Sequence, residues 1–288
     1  MKIGVIGNGL TATFIISLLI KEGYTLVHYV DPIKVPHSWA SAGIVHPFNF
    51  KTATWKKFGY DSFLNFLQFL ETWNLKPFFH FTGLFYVCQE KNLWNDWFAL
   101  SNRFPDFIQV KEKGIFFPQS GWLQVKKIWD ILNNQFLKHS NYHRICEKVN
   151  PKQNKNCDIW IEAGGIDSLK NYPNLPLYPK NGFIHKISVN VPLVSFIYWK
   201  HFFLIPTNNP SEYWVGPEKE SLQYFEQTFP IEYQILKTIS GIKPYSLLGR
   251  AFCFKQNNIL FLNGVGGRGI LEGLRISHEA LKILQNIS

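Results

Sequence analysis

The sequence predicts an α/β protein in which a doubly wound parallel sheet is interrupted by a mostly antiparallel sheet. Three observations carry this expectation. The chain opens on an apolar strand, a helix and a second apolar strand; it closes on a strand, a glycine-rich turn and a helix; and its middle holds short alternating runs. With 288 residues and a hydrophobic fraction of 46%, it is long enough to bury a substantial core.

Residues 2–6 read as a buried strand, 10–21 as a helix ended by Gly23, and 25–30 as a second strand leading to Asp31. Such a unit makes its two strands parallel. A helix follows at 60–73, with Phe63, Phe66, Leu67 and Leu70 along one face. Strands are expected within 78–88 and 114–124, helices at 91–101 and 125–137, and strands at 144–149 and 158–162. Beyond these, 183–206 suggests antiparallel strands, 213–215 a strand, 222–240 a helix, 259–262 a strand and 272–285 the last helix.

Thirty basic against twenty acidic residues give a net charge of +10. That suits a polyanion such as RNA, and equally a Lys-rich composition with no such partner. Cys88, Cys146, Cys157 and Cys253 form no C-x-x-C pair, which argues against a zinc site and a disulfide framework; no metal is expected. The N-terminus reads directly as a strand rather than a signal peptide, and the apolar stretch 14–20 is too short to span a bilayer. The expectation is a soluble, cytoplasmic protein. No H-E-x-x-H, G-x-S-x-G or G-x-x-x-x-G-K-[ST] pattern supports a hydrolase or NTPase.

Gly7-Asn8-Gly9-Leu10-Thr11-Ala12 is G-x-G-x-x-A, placed directly after a strand and opening a helix. Gly7 permits the tight turn, Gly9 lets a pyrophosphate approach the backbone, and Ala12 allows close helix packing. The free N–H groups of the first helical turn, Leu10 and Thr11 among them, favour an anion. Asp31 stands where a carboxylate accepts hydrogen bonds from ribose hydroxyls. It disfavours a 2′-phosphate, hence NADP, and leaves NAD and FAD open.

Three further segments favour FAD. Ser38-Trp39-Ala40-Ser41-Ala42-Gly43-Ile44-Val45-His46-Pro47 resembles the flavin-proximal loop of the D-amino-acid oxidase/glycine oxidase superfamily, with one extra residue before the proline. Ile161-Glu162-Ala163-Gly164-Gly165 resembles that family's strand ending Ala-Thr-Gly, without the Thr. Asn263-Gly264-Val265-Gly266-Gly267-Arg268-Gly269 resembles its C-terminal flavin-binding turn. The resemblance runs in order along almost the whole chain.

It implies a Rossmann-like FAD-binding domain of residues 1–77, 122–170 and 244–288, interrupted by a mostly antiparallel α+β substrate domain of 78–121 and 171–243. It implies flavin contacts at Ser41, Ala42, Gly43, Ile44, Val149, Ala163, Gly164, Gly264, Gly266, Gly267, Arg268 and Gly269. It also implies an FAD-dependent oxidoreductase, in which a C–H beside the nitrogen of a small amine or amino acid gives hydride to flavin N5.

The departures bear on substrate. The chain is shorter than most members, with little sequence between residues 149 and 158. Lys243-Pro244 stands where the family has Arg-Pro, and Lys lacks the bidentate fork for a carboxylate. That task then falls to Arg250 or Arg268, each of which is otherwise a structural or solvent-exposed arginine. His46 either meets flavin or substrate, or bonds to backbone. Other readings are a flavin enzyme acting on a modified tRNA base, a non-catalytic flavoprotein and a cofactor-free binding module.

Overall fold

The computed structural model describes residues 1–48, 57–88 and 90–287. The chain enters as β1 (Lys2–Ile6), α1 (Leu10–Lys21) and β2 (Thr25–Tyr29). It continues through β3 (Ile44–Val45), α2 (Lys57–Thr72), β4 (Phe79–His80), β5 (Leu84–Tyr86) and α3 (Lys91–Arg103). Then come β6 (Gln109–Lys111), β7 (Gly114–Phe117), β8 (Gly121–Leu123), α4 (Val125–Phe136), β9 (Tyr142–Ile145) and β10 (Ile159–Glu162). After these follow β11 (Leu177–Val189), β12 (Ile197–Trp199), β13 (Phe203–Pro206), β14 (Glu212–Gly216) and α5 (Ser221–Thr228). The chain closes with β15 (Tyr233–Ser246), β16 (Phe252–Gln256), β17 (Ile259–Asn263) and α6 (Gly269–Gln285).

Two compact units result. The first comprises Met1–Trp39, Lys126–Lys180 and Ile242–Ser288; the second comprises Ala40–Val125 and Asn181–Gly241. Residues 40–77 and 122–125, expected with the dinucleotide-binding domain, therefore group with the second unit. Strand pairing explains this, because Ile44 of β3 is opposite Trp122 of β8, and Phe48 packs edge-on against Trp97. Residues 171–180 and 242–243 group with the first unit instead of the second.

The first unit is a six-stranded sheet in the order β16-β17-β10-β1-β2-β9. Its strands are parallel except β16, which runs antiparallel to β17 at one edge. Helix α1 packs on α6 as well as on β1 and β2, which is why it is apolar around most of its circumference. Phe14, Ile15, Ile16 and Leu19 are fully buried, each contributing about 1.5–3 kcal/mol of transfer free energy. The helix stops at Gly23, where Tyr24 N–H reaches back to the Leu19 carbonyl at 3.1 Å.

The second unit holds a three-stranded sheet, β3-β8-β4, and most of an eight-stranded one, β15-β11-β14-β13-β12-β5-β7-β6. All of the registered pairs are antiparallel except β12 with β5. Along β13, Phe203 and Ile205 join a cluster with Trp97, Phe117 and Trp122, while Leu204 joins Phe202, Tyr213 and Phe225. That alternation is the period of a strand buried on both faces.

One expected element changes type. The helix foreseen at 222–240 ends at Thr228, and β15 begins at Tyr233. Pro230 lacks an N–H and disfavours helix at the residue before it, so the pattern breaks there. The strand foreseen at 144–149 lies instead at Tyr142–Ile145, and β16 was not foreseen. All four cysteines are free. Among the described residues no helix is long and apolar enough to cross a membrane, and no group of three or more His, Cys, Asp or Glu could hold a metal ion.

Candidate functional site

The Gly7-Asn8-Gly9 turn joins β1 to α1 at the C-terminal edge of the parallel sheet. Gly7 has φ +121°, and the Cβ it lacks would lie 2.7 Å from the Ala163 carbonyl carbon and 3.0 Å from Gly164 N. The structure thus brings Gly7 and the Ala163-Gly164 turn, both anticipated, into direct backbone contact. At Gly9 the missing Cβ would meet only Ser38 Oγ, at 3.7 Å, leaving the backbone open to a ligand.

Helix α1 has no side-chain cap and no acidic residue in its first turn, so the N–H groups of Leu10, Thr11 and Ala12 lack intrahelical partners. Nearby, Asn8 Oδ1, Ser38 Oγ and Trp39 Nε1 are buried without a protein hydrogen-bond partner. An uncapped helix start, an open glycine and unpaired hydroxyl and indole donors fit a dinucleotide pyrophosphate.

Beneath this turn lies a pair the sequence did not reveal. His28, 2% exposed in β2, contacts the Gly7 carbonyl through Nε2 and the Tyr142 hydroxyl through Nδ1, both at 2.6 Å. A carbonyl only accepts, so Nε2 carries the proton and the Tyr142 hydroxyl donates to Nδ1. Burial holds His28 at about 4, with nearby Arg144 lowering it further against the opposing pull of the Gly7 bond. From the other side, Trp129 Nε1 donates to the Asn8 carbonyl at 2.8 Å. A histidine inside an apolar strand was the available signal; its partner Tyr142 is far away in sequence.

Asp31 follows β2. One carboxylate oxygen accepts the Ile33 N–H at 3.1 Å, and the other lies 3.5 Å from Lys148 Nζ. That ion pair brings the neighbouring Val149 to the same end of the sheet, where it packs on the cluster containing Val27 and Tyr29.

The C-terminal turn is built against two other segments. Gly264 and Gly266 have φ +78° and +53°, and a Cβ at Gly266 would fall 2.9 Å from the Tyr245 ring. Tyr245 also bridges Val265, so Lys243-Pro244-Tyr245 stands beside this turn. Gly267 adjoins the Tyr245 hydroxyl, and Gly269 opens α6. Asn263 Nδ2 donates to the Gly165 carbonyl at 2.7 Å and to Ser168 Oγ at 3.1 Å, tying the turn to the end of β10.

The arginines separate. Arg268 is half-buried with no ion pair among the described residues, and its desolvation lowers its pKa. Arg250 is exposed. Arg275 is engaged by Glu272, Glu279 and the Ala251 carbonyl, a structural role.

Ser41, Ala42, Gly43, Ile44 and His46 belong to the second unit. There Ser41 Oγ accepts the Gly43 N–H, Gly43 O accepts the Leu123 N–H, and His46 meets Trp199 edge-on at 6.1 Å. The same unit has a cavity of about 340 Å³ lined by His80, Trp122, Pro206 and Tyr213 among others. None of the anticipated flavin contacts lines it, nor does His46, Lys243, Arg250 or Arg268.

No protein-family model matches the sequence, and no curated protein matches it in sequence. Solved structures do match in fold. Iminodiacetate oxidase from Chelativorans sp. BNC1 superposes with a TM-score of 0.79 at 13% identity, over 96% of this chain and 93% of that one. Glycine oxidase from Bacillus cereus ATCC 14579 gives 0.77 at 13% identity, over 100% and 95%. L-amino acid deaminase from Proteus myxofaciens gives 0.79 at 10% identity, over 99% and 90%. At these identities the likeness is one of fold, and it is the α/β fold that the sequence resemblance implied.

Proposed function

We propose that the protein is an FAD-dependent oxidoreductase that oxidises a C–N bond of a small amine or amino acid. The observation that carries this reading is the Gly7-Asn8-Gly9 turn, seated on Ala163-Gly164 with an uncapped helix start and unpaired donors around it. The fold shared with amine and amino-acid oxidases supports it. When bound, FAD would supply the oxidant, accepting hydride at flavin N5 from the carbon beside the amine.

The chain's own residues bind and orient. The N–H groups of Leu10, Thr11 and Ala12, with the Ser38 hydroxyl, hold the pyrophosphate, and Gly7 and Gly9 let it reach the backbone. Asp31 takes the ribose hydroxyls beside Val149. Ala163-Gly164 and the Gly264, Gly266, Gly267 and Gly269 positions present backbone rather than bulky side chains to the flavin. Arg268, desolvated and in no ion pair among the described residues although Glu272 acts on it at longer range, takes a substrate carboxylate, and Lys243 adds charge without the bidentate fork.

By name, two of the structural neighbours act on glycine and iminodiacetate, amines that carry carboxylates. Anaerobic addition of each to the flavin-loaded protein tests the reading. Bleaching of the oxidised-flavin bands is expected. A spectrum unchanged by either and by a panel of simple amines contradicts amine oxidation.

The charge is also compatible with a second reading, an amine carried on RNA. Lys138, His139, His143, Lys148, Lys152 and Lys155 are exposed before, along and after the edge strand β9. Affinity for tRNA that falls steeply with salt supports it, and no binding at low salt removes it.

A further inference from the structure

Glu162 is the last residue of β10, opposite Ile6 of β1 and Phe261 of β17, and is only 2% exposed. A carboxyl in such a place must be hydrogen-bonded and tends to stay neutral. Its Oε1 accepts the Gly164 N–H and the Ser168 hydroxyl, both at 3.0 Å. Ser168 Oγ accepts from Asn263 Nδ2 at 3.1 Å, and the same amide nitrogen donates to the Gly165 carbonyl at 2.7 Å. Asn263 Oδ1 accepts the Gly264 N–H at 2.9 Å. One hydrogen-bonded chain therefore runs from the turn after β10 to the turn after β17.

The charged and titratable surroundings are few. Asp167, on the helical turn Gly165–Lys170, is negative and is paired with Lys34 and Lys170. Tyr172 lies just beyond, while β1 and β17 contribute Ile6 and Phe261 opposite the carboxyl. Among the described residues no cation pairs with Glu162. Burial pushes its carboxyl up to about 7, against the pull of the Ser168 and Gly164 hydrogen bonds.

We propose that Glu162 is a positioning residue: acting through Ser168 and Asn263, it holds the Gly164-Gly165 and Gly264 turns in the arrangement that binds the flavin, and loss of its proton disturbs that arrangement by leaving a buried charge without a counter-ion, although the two donors then bond it more strongly. The inference rests on the reading of both turns as flavin-binding. A carboxylate buried without a counter-ion must draw in water or shift the turn, and its charge opposes that of a dianionic pyrophosphate.

Two measurements on wild type and Glu162→Gln, the neutral isostere, test it. The first is FAD affinity, followed by flavin fluorescence from about pH 5.5 to about pH 8.5. Wild type should bind about 5–10-fold more weakly at the upper end, and Glu162→Gln should be flat at the tighter value. Asn263→Ala, or Ser168→Ala if that variant fails to fold, should weaken binding throughout and flatten the slope. A Glu162→Gln protein that keeps the wild-type slope overturns the proposal.

The second is urea stability of the apoproteins. A carboxyl raised above its unfolded value contributes stability below the unfolded value and loses it as pH climbs through the folded one. Wild type should therefore lose stability relative to Glu162→Gln as pH rises from about 4.5 to about 7. A difference that does not vary with pH overturns the hydrogen-bonded lock. Absence of FAD binding at every pH, with this difference intact, overturns the flavin assignment of the turns and leaves the lock standing.

Discussion

In the first unit the critical glycine presses against backbone: a Cβ at Gly7 would fall 3.0 Å from Gly164 N, at a φ of +121°. In the second, Gly43, Gly114 and Gly121 press against the carbonyls of Leu123, Tyr86 and His80 inside the sheets, and Gly83 and Gly216 press against the rings of Phe116 and Phe203. Buried polar chains differ in reach: His28–Tyr142 and Glu162–Ser168–Asn263 join strand ends about a hundred residues apart in the first unit, whereas Gln124–His80 and His185–Thr238 in the second join residues about fifty apart. The first unit has backbone turns that tolerate no added atom at a few positions. The second is a body packed from aromatic area, where the loss of volume matters most.

The largest effect should come from the packed body. Trp97 is fully buried against Phe48 and Phe117, so Trp97→Ala should cost about 3–5 kcal/mol in urea denaturation while leaving FAD affinity of the folded protein unchanged. A loss under about 1 kcal/mol would break the comparison. Gly7→Ala should cost about 3 kcal/mol and abolish FAD binding as well, because strain and backbone clash act together. Retained FAD affinity would show that the turn is not a ligand site.

The buried histidine comes next. His28 is held at about 4, well below its unfolded value of about 6.5. Its contribution is therefore present above about 6.5 and lost as pH falls toward 4. Relative to His28→Gln, wild type should lose on the order of 2 kcal/mol across that window, read by denaturation at stepped pH. A pH-independent difference would mean that the ring titrates in the folded protein as it does in the unfolded chain. Smallest is Arg268→Ala, expected to raise KM for a carboxylated amine about tenfold with stability nearly unchanged. Arg250→Ala, at an exposed position, should leave KM alone, and the reverse ranking would exchange the two assignments.

What was legible in the sequence follows the same division. β1 and α1 emerge at their expected bounds because a glycine at each end marks where the chain must turn. The Ala163-Gly164 and Gly264–Gly269 turns were readable for that reason, and both adjoin other anticipated segments. The helix foreseen through residue 240 was misread because the apolar spacing over 222–229 hid the break at Pro230. Residues 40–77 were placed with the dinucleotide-binding domain by the family resemblance, whereas β3 pairs with β8, a partner no local pattern announces. Glu162 and His28 were visible as polar residues in apolar strands. Their roles depend on Asn263 and Tyr142, about a hundred residues away in each case.

The claim on which all of this turns is that the first unit binds FAD at its glycine turns. Titrating the apoprotein with FAD, in parallel with a Gly7→Ala protein shown to be folded by circular dichroism, tests it directly. The account predicts saturation at one FAD per wild-type chain and no binding to the variant. A wild-type protein that binds no flavin, or a variant that binds it equally well, would contradict it.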